Sequence, residues 1–249
     1  MLCQMIEKGS AMNYSFLLSS IFFMMLQFLP GAAAAQDTWT MARANWRVSC
    51  NVDSGAYQKL GDTHVFAPSR NHCSGGSYQQ RSELTSNDFA ISNTQTLLFD
   101  TTIQFQAQSS GSFTIFQVHS EQSRAGCAPP LALSVKSDGR LEFFSDYSRS
   151  SRSDFCLANQ SLRAARHTGP RLRRDGIAQK LQVALSFDGQ GGFAATAYLD
   201  GQQALSGTYT PNTASDFLPL RTVYLKHGVY SPERWDYQLI SRGLRLLRQ

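Results

Sequence analysis

Residues 224–230 read Tyr224-Leu225-Lys226-His227-Gly228-Val229-Tyr230, which predicts a β-strand with one apolar and one polar row. Successive side chains of a strand point to opposite faces, so Leu225 and Val229 share one side and can pack on a core. The other side carries two phenols, an ammonium group and a glycine that leaves room for a ligand. These residues are Tyr224, Lys226, Gly228 and Tyr230.

Two earlier stretches show the same alternation of polar side chains. Arg81 and Glu83 occupy positions i and i+2 of one stretch, and Gln117 and His119 occupy the same positions of another. Each pair therefore lies on a single face of its strand. Three strands of this kind predict one shared polar groove.

The rest of the chain predicts an all-β fold. Short alternating runs recur, separated by turns that contain Asp-Gly. The predicted strands are 97–106, 112–119, 131–136, 140–145, 180–187, 193–200, 220–229 and 235–247. Strands at this spacing favour a sandwich or barrel, in which one curved sheet offers a concave face to a ligand. Residues 37–75 have few clear strands, and residues 146–176 predict a long loop.

The first 36 residues predict a secretory signal peptide. Lys8 precedes an apolar run from Phe16 to Leu29, and small residues around Ala35 resemble a cleavage site. The alternative is a membrane anchor, but the apolar run is short for a membrane span. We therefore expect a single domain over residues 37–249, secreted or periplasmic, with no membrane association after cleavage.

Charge and composition narrow the expected partners. The chain has a formal net charge of +5, and seven arginines lie between Arg149 and Arg174. A basic field attracts polyanions, and secretion favours an acidic polysaccharide over nucleic acid. The arginine-rich loop either lines the groove or is a solvated excursion. We expect a monomer.

Four cysteines follow the predicted leader, namely Cys50, Cys73, Cys127 and Cys156. An even number in an exported chain indicates disulfide bonds, for which three pairings exist. We favour Cys50–Cys73 and Cys127–Cys156, because each closes a local loop. Zinc is disfavoured because no C-x-x-C spacing occurs, and we expect no metal or other cofactor.

The polar rows suit β-elimination in a polymer of 4-linked uronic acids. This reaction requires neutralisation of a carboxylate, a base for the C5 proton and an acid for the leaving oxygen. Arg81 and Gln117 can bind the carboxylate, and His119 can be a neutral base near pH 7. Tyr230 can protonate the leaving oxygen, or act as a base if nearby cations lower its pKa.

Three further residues of the rows are expected to support substrate binding. Lys226 is a cation that can hold the sugar, and Tyr224 lies on the same face of its strand. Glu83 would repel an acidic sugar if it were exposed, so we expect it to orient Arg81 or Lys226.

These motifs resemble those of the alginate lyases of polysaccharide lyase family 7. That family shows R-[ST]-E-L-R, Q-[IV]-H and Y-F-K-A-G-x-Y strands in this order. The resemblance implies a concanavalin A-like β-jelly roll with the active site on a concave sheet, and metal-independent endolytic β-elimination. It implies that Arg81 and Gln117 neutralise the carboxylate, that His119 is or assists the base, that Tyr230 is the acid or acid/base, and that Lys226 binds substrate. The Q-V-H form implies a lean towards mannuronate-rich alginate.

The chain departs from the family pattern at three places. Thr85 replaces the second arginine of the first motif, so that contact is absent or supplied elsewhere, for instance by the arginine-rich loop. His227 replaces a small alanine and points away from the polar face, and Ser231-Pro232 replaces Asn-Gln. Similar rows occur in jelly-roll lyases acting on glucuronan or heparin-like chains, so these substrates remain alternatives.

Three other functions compete with a lyase: a glycoside hydrolase, a lectin-like domain and a secreted structural or adhesive β-protein. A retaining glycoside hydrolase needs two carboxylates about 5 Å apart, and its usual E-x-D-x-[x]-E strand pattern does not occur. A lectin-like domain would use the same face and the basic loop without catalysis.

Overall fold

A computed structural model describes residues 39–49, 52–69, 80–91, 95–120, 128–144, 148–149, 156–211 and 220–249, which belong to one compact unit, Asp37–Gln249. Its strands are β1 (Thr40–Met41), β2 (Arg47–Val48), β3 (Tyr57–Leu60), β4 (Thr63–Phe66), β5 (Gln80–Thr85), β6 (Phe89–Ala90), β7 (Thr96–Gln106), β8 (Phe113–Ser120), β9 (Leu131–Val135), β10 (Leu141–Phe144), β11 (Ser148–Arg149), β12 (Cys156–Leu157), β13 (Asp175–Phe187), β14 (Phe193–Leu199), β15 (Gln202–Tyr209), β16 (Thr222–Ser231) and β17 (Gln238–Arg248). One short helix, α1, spans Gln160–Arg163.

The described strands form two large antiparallel sheets and one small one. The first sheet has the order β15-β14-β13-β7-β17-β4-β3, with β1 beside β17. The second has the order β10-β9-β8-β16-β5-β2, with β6 beside β16. Strands β11 and β12 pair separately. The predicted all-β sandwich is therefore confirmed.

The core consists of the apolar rows that alternate along both sheets. Strand β13 alternates buried and less buried residues from Gln179 to Phe187, as expected for a strand with one face on a core. Phe99 on β7 and Phe116 on β8 join the two sheets, with ring centroids 4.8 Å apart. Each fully buried side chain of this size stabilises the fold by roughly 1.5–3 kcal/mol.

All eight predicted strands are present, with end points that differ by a few residues. Residues 37–75 contain four short strands, β1 to β4, of two to four residues each, for which the sequence has few clear patterns. Strand β15 was missed, although it follows the Asp-Gly turn at Asp200 and Gly201. Both turn residues have positive φ, 52° and 77°, which suits the tight hairpin between β14 and β15.

The arginine-rich segment is less loop-like than predicted where the structure describes it. Asn159 caps α1 by accepting a hydrogen bond from the Leu162 amide, and Leu162 is fully buried. Arg174 donates hydrogen bonds to the carbonyls of Ser109, Gly111 and Lys136, at 2.6 to 2.8 Å. This arginine therefore holds the loop at Ser109 to Gly111 against the end of β9 and does not extend into solvent.

Other arginines of the segment are also engaged. Arg173 pairs with Asp175 at 2.5 Å, Arg171 lies 3.6 Å from Asp138, and the Arg163 guanidinium lies 4.9 Å from the Phe144 ring centroid. Residues 150–155 lie outside the described residues, so the role of the segment in the groove stays a prediction.

Cys156 is disulfide-bonded. Cys50, Cys73 and Cys127 lie outside the described residues, so the predicted connectivity stays a prediction. The predicted signal peptide, residues 1–36, lies outside them as well. In the part of the chain that the structure describes, no helix is long and apolar enough to cross a membrane.

Candidate active site

The three predicted polar strands are neighbours in the second sheet, with β16 between β8 and β5. Tyr230 pairs with Arg81 across β16 and β5. On the other side of β16, Tyr224 pairs with His119. Directly paired residues of antiparallel strands lie on the same face, so the predicted polar rows form one surface. We call this side of the second sheet the polar face; its members predicted from the sequence are Arg81, Glu83, Gln117, His119, Tyr224, Lys226 and Tyr230.

A chain of side-chain contacts crosses the polar face from β5 to β8. Arg81 Nε lies 3.1 Å from Glu83 Oε2. Gln117 Nε2 donates a hydrogen bond to Glu83 Oε1. Gln117 Oε1 and His119 Nε2 are 3.1 Å apart. Glu83 therefore forms an ion pair with Arg81, without a hydrogen bond between Nε and Oε2, and accepts a hydrogen bond from Gln117.

These contacts fix the tautomer of His119. A carboxylate only accepts hydrogen bonds, so the amide nitrogen of Gln117 faces Glu83 and its oxygen faces the imidazole. His119 then donates from Nε2, and in its neutral form Nδ1 carries the lone pair. Nδ1 is shielded from solvent and has no hydrogen-bond partner among the described residues. A buried nitrogen of this kind is a candidate proton acceptor.

Burial keeps His119 neutral. It lowers the pKa of His119 well below 6.5, and the positive charges of Lys226 and Arg81 lower it further. The Tyr224 ring stacks on the imidazole, with centroids 4.9 Å apart and planes 19° apart. Tyr224 therefore holds the ring orientation that the hydrogen bond to Gln117 selects.

Two cations and a phenol, Arg81 on β5 and Lys226 and Tyr230 on β16, occupy the rest of the polar face. The guanidinium carbon of Arg81 lies 4.2 Å from the ring centroid of Tyr230, a cation–π contact. Lys226 pairs with Gln117 on one side and with Thr85 on the other. Burial lowers the pKa of Lys226, Glu83 opposes this effect, and Arg81 adds to it.

The polar face is largely withdrawn from solvent. Glu83 is completely buried, whereas Arg81 is 6% exposed and His119, Lys226 and Tyr230 are each 9% exposed. Tyr224 is half-buried. Charge interactions are stronger in such a low-dielectric setting than in water, and an unpaired buried charge is costly. The negative charge of Glu83 beside the cations therefore offsets the cost of burying all of these groups.

The sheet itself requires glycine at position 228, a reason that the sequence interpretation did not give. Its φ is +143°, and a Cβ atom there would lie 2.3 Å from the Ser82 carbonyl oxygen on β5. The pairing of β16 with β8 shifts between His227 and Tyr230, which is a β-bulge. Bulges bend a strand and redirect side chains, so this glycine helps to aim Tyr230.

His227 lies in the core, as its position in the strand predicted. Its Nδ1 donates to the Ile115 carbonyl at 2.9 Å, and its Nε2 accepts from the Ser241 hydroxyl at 2.6 Å. Burial lowers the pKa of His227 to about 4. This residue joins the two sheets and does not contribute to the polar face.

Sequence reasoning missed two hydroxyl groups on the polar face. Thr114 pairs with Tyr230 on one side and with Ser134 on the other, and the two hydroxyls are 3.0 Å apart. Strict alternation assigns Thr114 to the same side as Phe116, which is in the core. The bulge between these residues reverses the assignment, and no pattern in the sequence signals it.

Comparisons with known proteins were made for sequence and structure. No protein-family model matches the chain, and no curated protein matches it in sequence.

Several solved structures do match. A family 7 alginate lyase in complex with product superposes with a TM-score of 0.50 and 15% identity, covering 79% of this chain and 85% of the other. A polysaccharide lyase of family 18 has a TM-score of 0.50 and 13% identity, covering 82% and 94%. An endo-β-1,4-glucuronan lyase from the fungus Trichoderma reesei has a TM-score of 0.53 and 11% identity, covering 86% and 91%.

At these identities the likeness concerns the fold. It covers most of each chain, so the match is to whole domains. The protein therefore has the β-jelly-roll sandwich of these polysaccharide lyases.

Proposed function

We propose that the protein is a polysaccharide lyase that cleaves a 4-linked uronate polymer by β-elimination. The observation that carries the proposal is the buried contact chain from Arg81 to His119, which ends in an imidazole nitrogen that has no hydrogen-bond partner among the described residues. A row of polar residues that only faces water would not require this series of buried, specific contacts. A jelly-roll fold shared with alginate and glucuronan lyases supports the same reading.

The reaction assigns one role to each group. Arg81 and the second amide hydrogen of Gln117 neutralise the substrate carboxylate, which stabilises negative charge at C5. His119 Nδ1 takes the C5 proton, and the electrons of the C5–H bond form the C4–C5 double bond. The C4–O bond breaks, and the Tyr230 hydroxyl protonates the departing oxygen. Lys226 and Tyr224 hold the sugar and the imidazole, and Glu83 orients Arg81 and Gln117.

Alginate, with a preference for mannuronate, is the first substrate that we propose. The Q-V-H stretch at Gln117 to His119 favours it. Glucuronan is the second, because the fungal glucuronan lyase shares the fold and Thr85 departs from the alginate lyase pattern. We further propose that the enzyme acts outside the cytoplasm as a monomer, needs no cofactor, and that residues 1–36 are its signal peptide.

An ultraviolet screen tests the function. Polymannuronate, polyguluronate, glucuronan and heparin-type chains are each incubated with the protein, and absorbance of a 4,5-unsaturated uronate is followed. We expect it to rise on at least one polymer. Binding without absorbance on every polymer would indicate a lectin, and new reducing ends without unsaturation would indicate a hydrolase.

The position of His119 predicts an unusual pH profile. A base must be unprotonated, and the pKa of His119 is depressed, so kcat/KM should stay high below pH 6.5 and fall only at lower pH. Lys226→Met removes one of the charges that lower this pKa, so the acidic limb should move to higher pH. The measurement is kcat/KM against pH for both proteins.

Lys59→Met provides the control, because Lys59 is an exposed lysine on β3 of the other sheet. It should leave the limb in place. A limb that stays fixed in Lys226→Met, or moves to lower pH, would contradict the assignment of His119 as the base.

A further inference from the structure

Arg47 extends a row of polar-face residues to the edge of the sheet. It pairs with Thr85 across β2 and β5. Thr85 pairs with Lys226, which pairs with Gln117. Neighbouring strands are about 4.8 Å apart, so the Arg47 backbone lies roughly 10 Å from that of Lys226 along this row. An arginine side chain is long enough to span much of that gap.

The neighbours of Arg47 show which way it points. Trp46 packs on the core, with its ring centroid 6.3 Å from that of Phe99. Val48 pairs with Leu84, which is also a core residue. Side chains alternate along a strand, so Arg47 points to the opposite side, which is the polar face.

The Arg47 side chain has no partner among the described residues. It is exposed, and its guanidinium forms no hydrogen bond or ion pair with them. The other arginine of the polar face, Arg81, is paired with Glu83. An exposed guanidinium that is free to form two parallel hydrogen bonds is suited to a carboxylate.

A cavity of about 340 Å³ adjoins Arg47. Its lining combines an indole, two amides, a carboxylate and the guanidinium, from Asn45, Trp46, Arg47, Asn87 and Asp88. The backbone N–H of Asn45 donates a hydrogen bond to Asn87 Oδ1 at 2.7 Å, so these two lining residues are in direct contact. The indole and the amides can bind the hydroxyls of a sugar and the guanidinium its acid group, whereas the exposed Asp88 carboxylate suits hydroxyls alone.

We propose that Arg47 binds the carboxylate of a uronate unit next to the one that is cleaved, and so forms a further substrate subsite at the β2 edge. The inference rests on the proposed function. The short side chain of Thr85 leaves the row open between Lys226 and Arg47, so the substrate reaches this arginine. The cation missing from position 85 is thus supplied by an adjacent strand.

Arg47→Gln tests the subsite. Loss of an interaction that is equally strong in the ground and transition states raises KM and leaves kcat unchanged. We expect KM for the cleaved polymer to rise about 10-fold, as for loss of a charge-assisted hydrogen bond. The dependence of KM on salt should weaken, and Arg47→Lys should restore part of the affinity. Arg248→Gln, an exposed arginine on β17, should leave KM unchanged.

A neutral ligand separates charge recognition from a structural effect. Binding of uronate oligosaccharides and of their carboxyl-reduced forms is measured by calorimetry for wild type and Arg47→Gln. The variant should lose affinity only for the charged ligand. An unchanged KM, or an equal loss for both ligands, would overturn the inference and leave the proposed function intact.

Failure of the proposed function has a different signature. In that case wild type gives no unsaturated product, and the binding measurement alone decides the role of Arg47. Loss of acidic-oligosaccharide binding in Arg47→Gln would still support the subsite. Absence of binding by wild type would overturn both proposals.

Discussion

Tyr230→Phe is expected to lower kcat by about 10²- to 10⁴-fold, the range that general acid catalysis supplies. The substitution removes one hydroxyl and keeps the ring that lies 4.2 Å from the Arg81 guanidinium carbon. Packing and the cation–π contact therefore survive, and binding of a uronate oligosaccharide should stay within about threefold of wild type. Initial rates from ultraviolet absorbance and calorimetric affinities measure the two effects.

Tyr198→Phe is the matched control, because Tyr198 is a half-buried tyrosine on β14 of the other sheet. It should have wild-type kcat. Wild-type activity in Tyr230→Phe would show that this phenol does not protonate the leaving oxygen. A loss of affinity with kcat unchanged would show that it serves binding alone.

Glu83→Gln is expected to damage both stability and catalysis. Glu83 is completely buried and is the acidic partner of Arg81, with Lys226 beside it. Removing one member of a buried ion pair leaves an uncompensated charge and typically costs about 3–5 kcal/mol. The variant also weakens the orientation of Gln117, through which His119 is held. We expect kcat/KM to fall by roughly 100-fold, in line with the loss of a general base, under conditions where the variant stays folded.

Glu142→Gln is the control, because it removes a different carboxylate from the same face and so shows whether the loss of stability is specific to the buried Glu83. Glu142 pairs with Ser134, which pairs with Thr114, so Glu142 lies on the polar face. In its ion pair with Lys136 the side chain of Glu142 is 48% exposed and that of Lys136 is 41% exposed. Exposed pairs contribute about 1 kcal/mol or less, so this variant should unfold in urea almost as wild type does. Equal unfolding free energies for the two variants would contradict the structural role of Glu83.

Much of the polar face could be predicted from the sequence. The alternation of Arg81 with Glu83, and of Gln117 with His119, is a local property of an extended chain. It is visible without knowing which strands are neighbours. The same rule placed His227 in the core, where it contacts Ser241. Where a strand is regular, sequence position decides the face.

Irregular and edge strands were not predictable in this way. Thr114 reaches the polar face only because of a bulge, and the reason for Gly228 lies in the carbonyl of Ser82 on another strand. Strand β2 is two residues long and has too little pattern to identify. Arg47 therefore could not be recognised as a candidate site residue before its pairing with Thr85 was known.

The sequence by itself determined the all-β class, the turns and the residue types on each face, because alternation and turn chemistry depend on neighbours in the chain. The tertiary structure decided which strands adjoin, how deeply the charges are buried and which nitrogen of His119 carries the proton. Those properties depend on contacts such as Glu83 with Gln117, 34 residues apart. No local pattern encodes a contact of that kind, because it exists only once the sheet has assembled around β16.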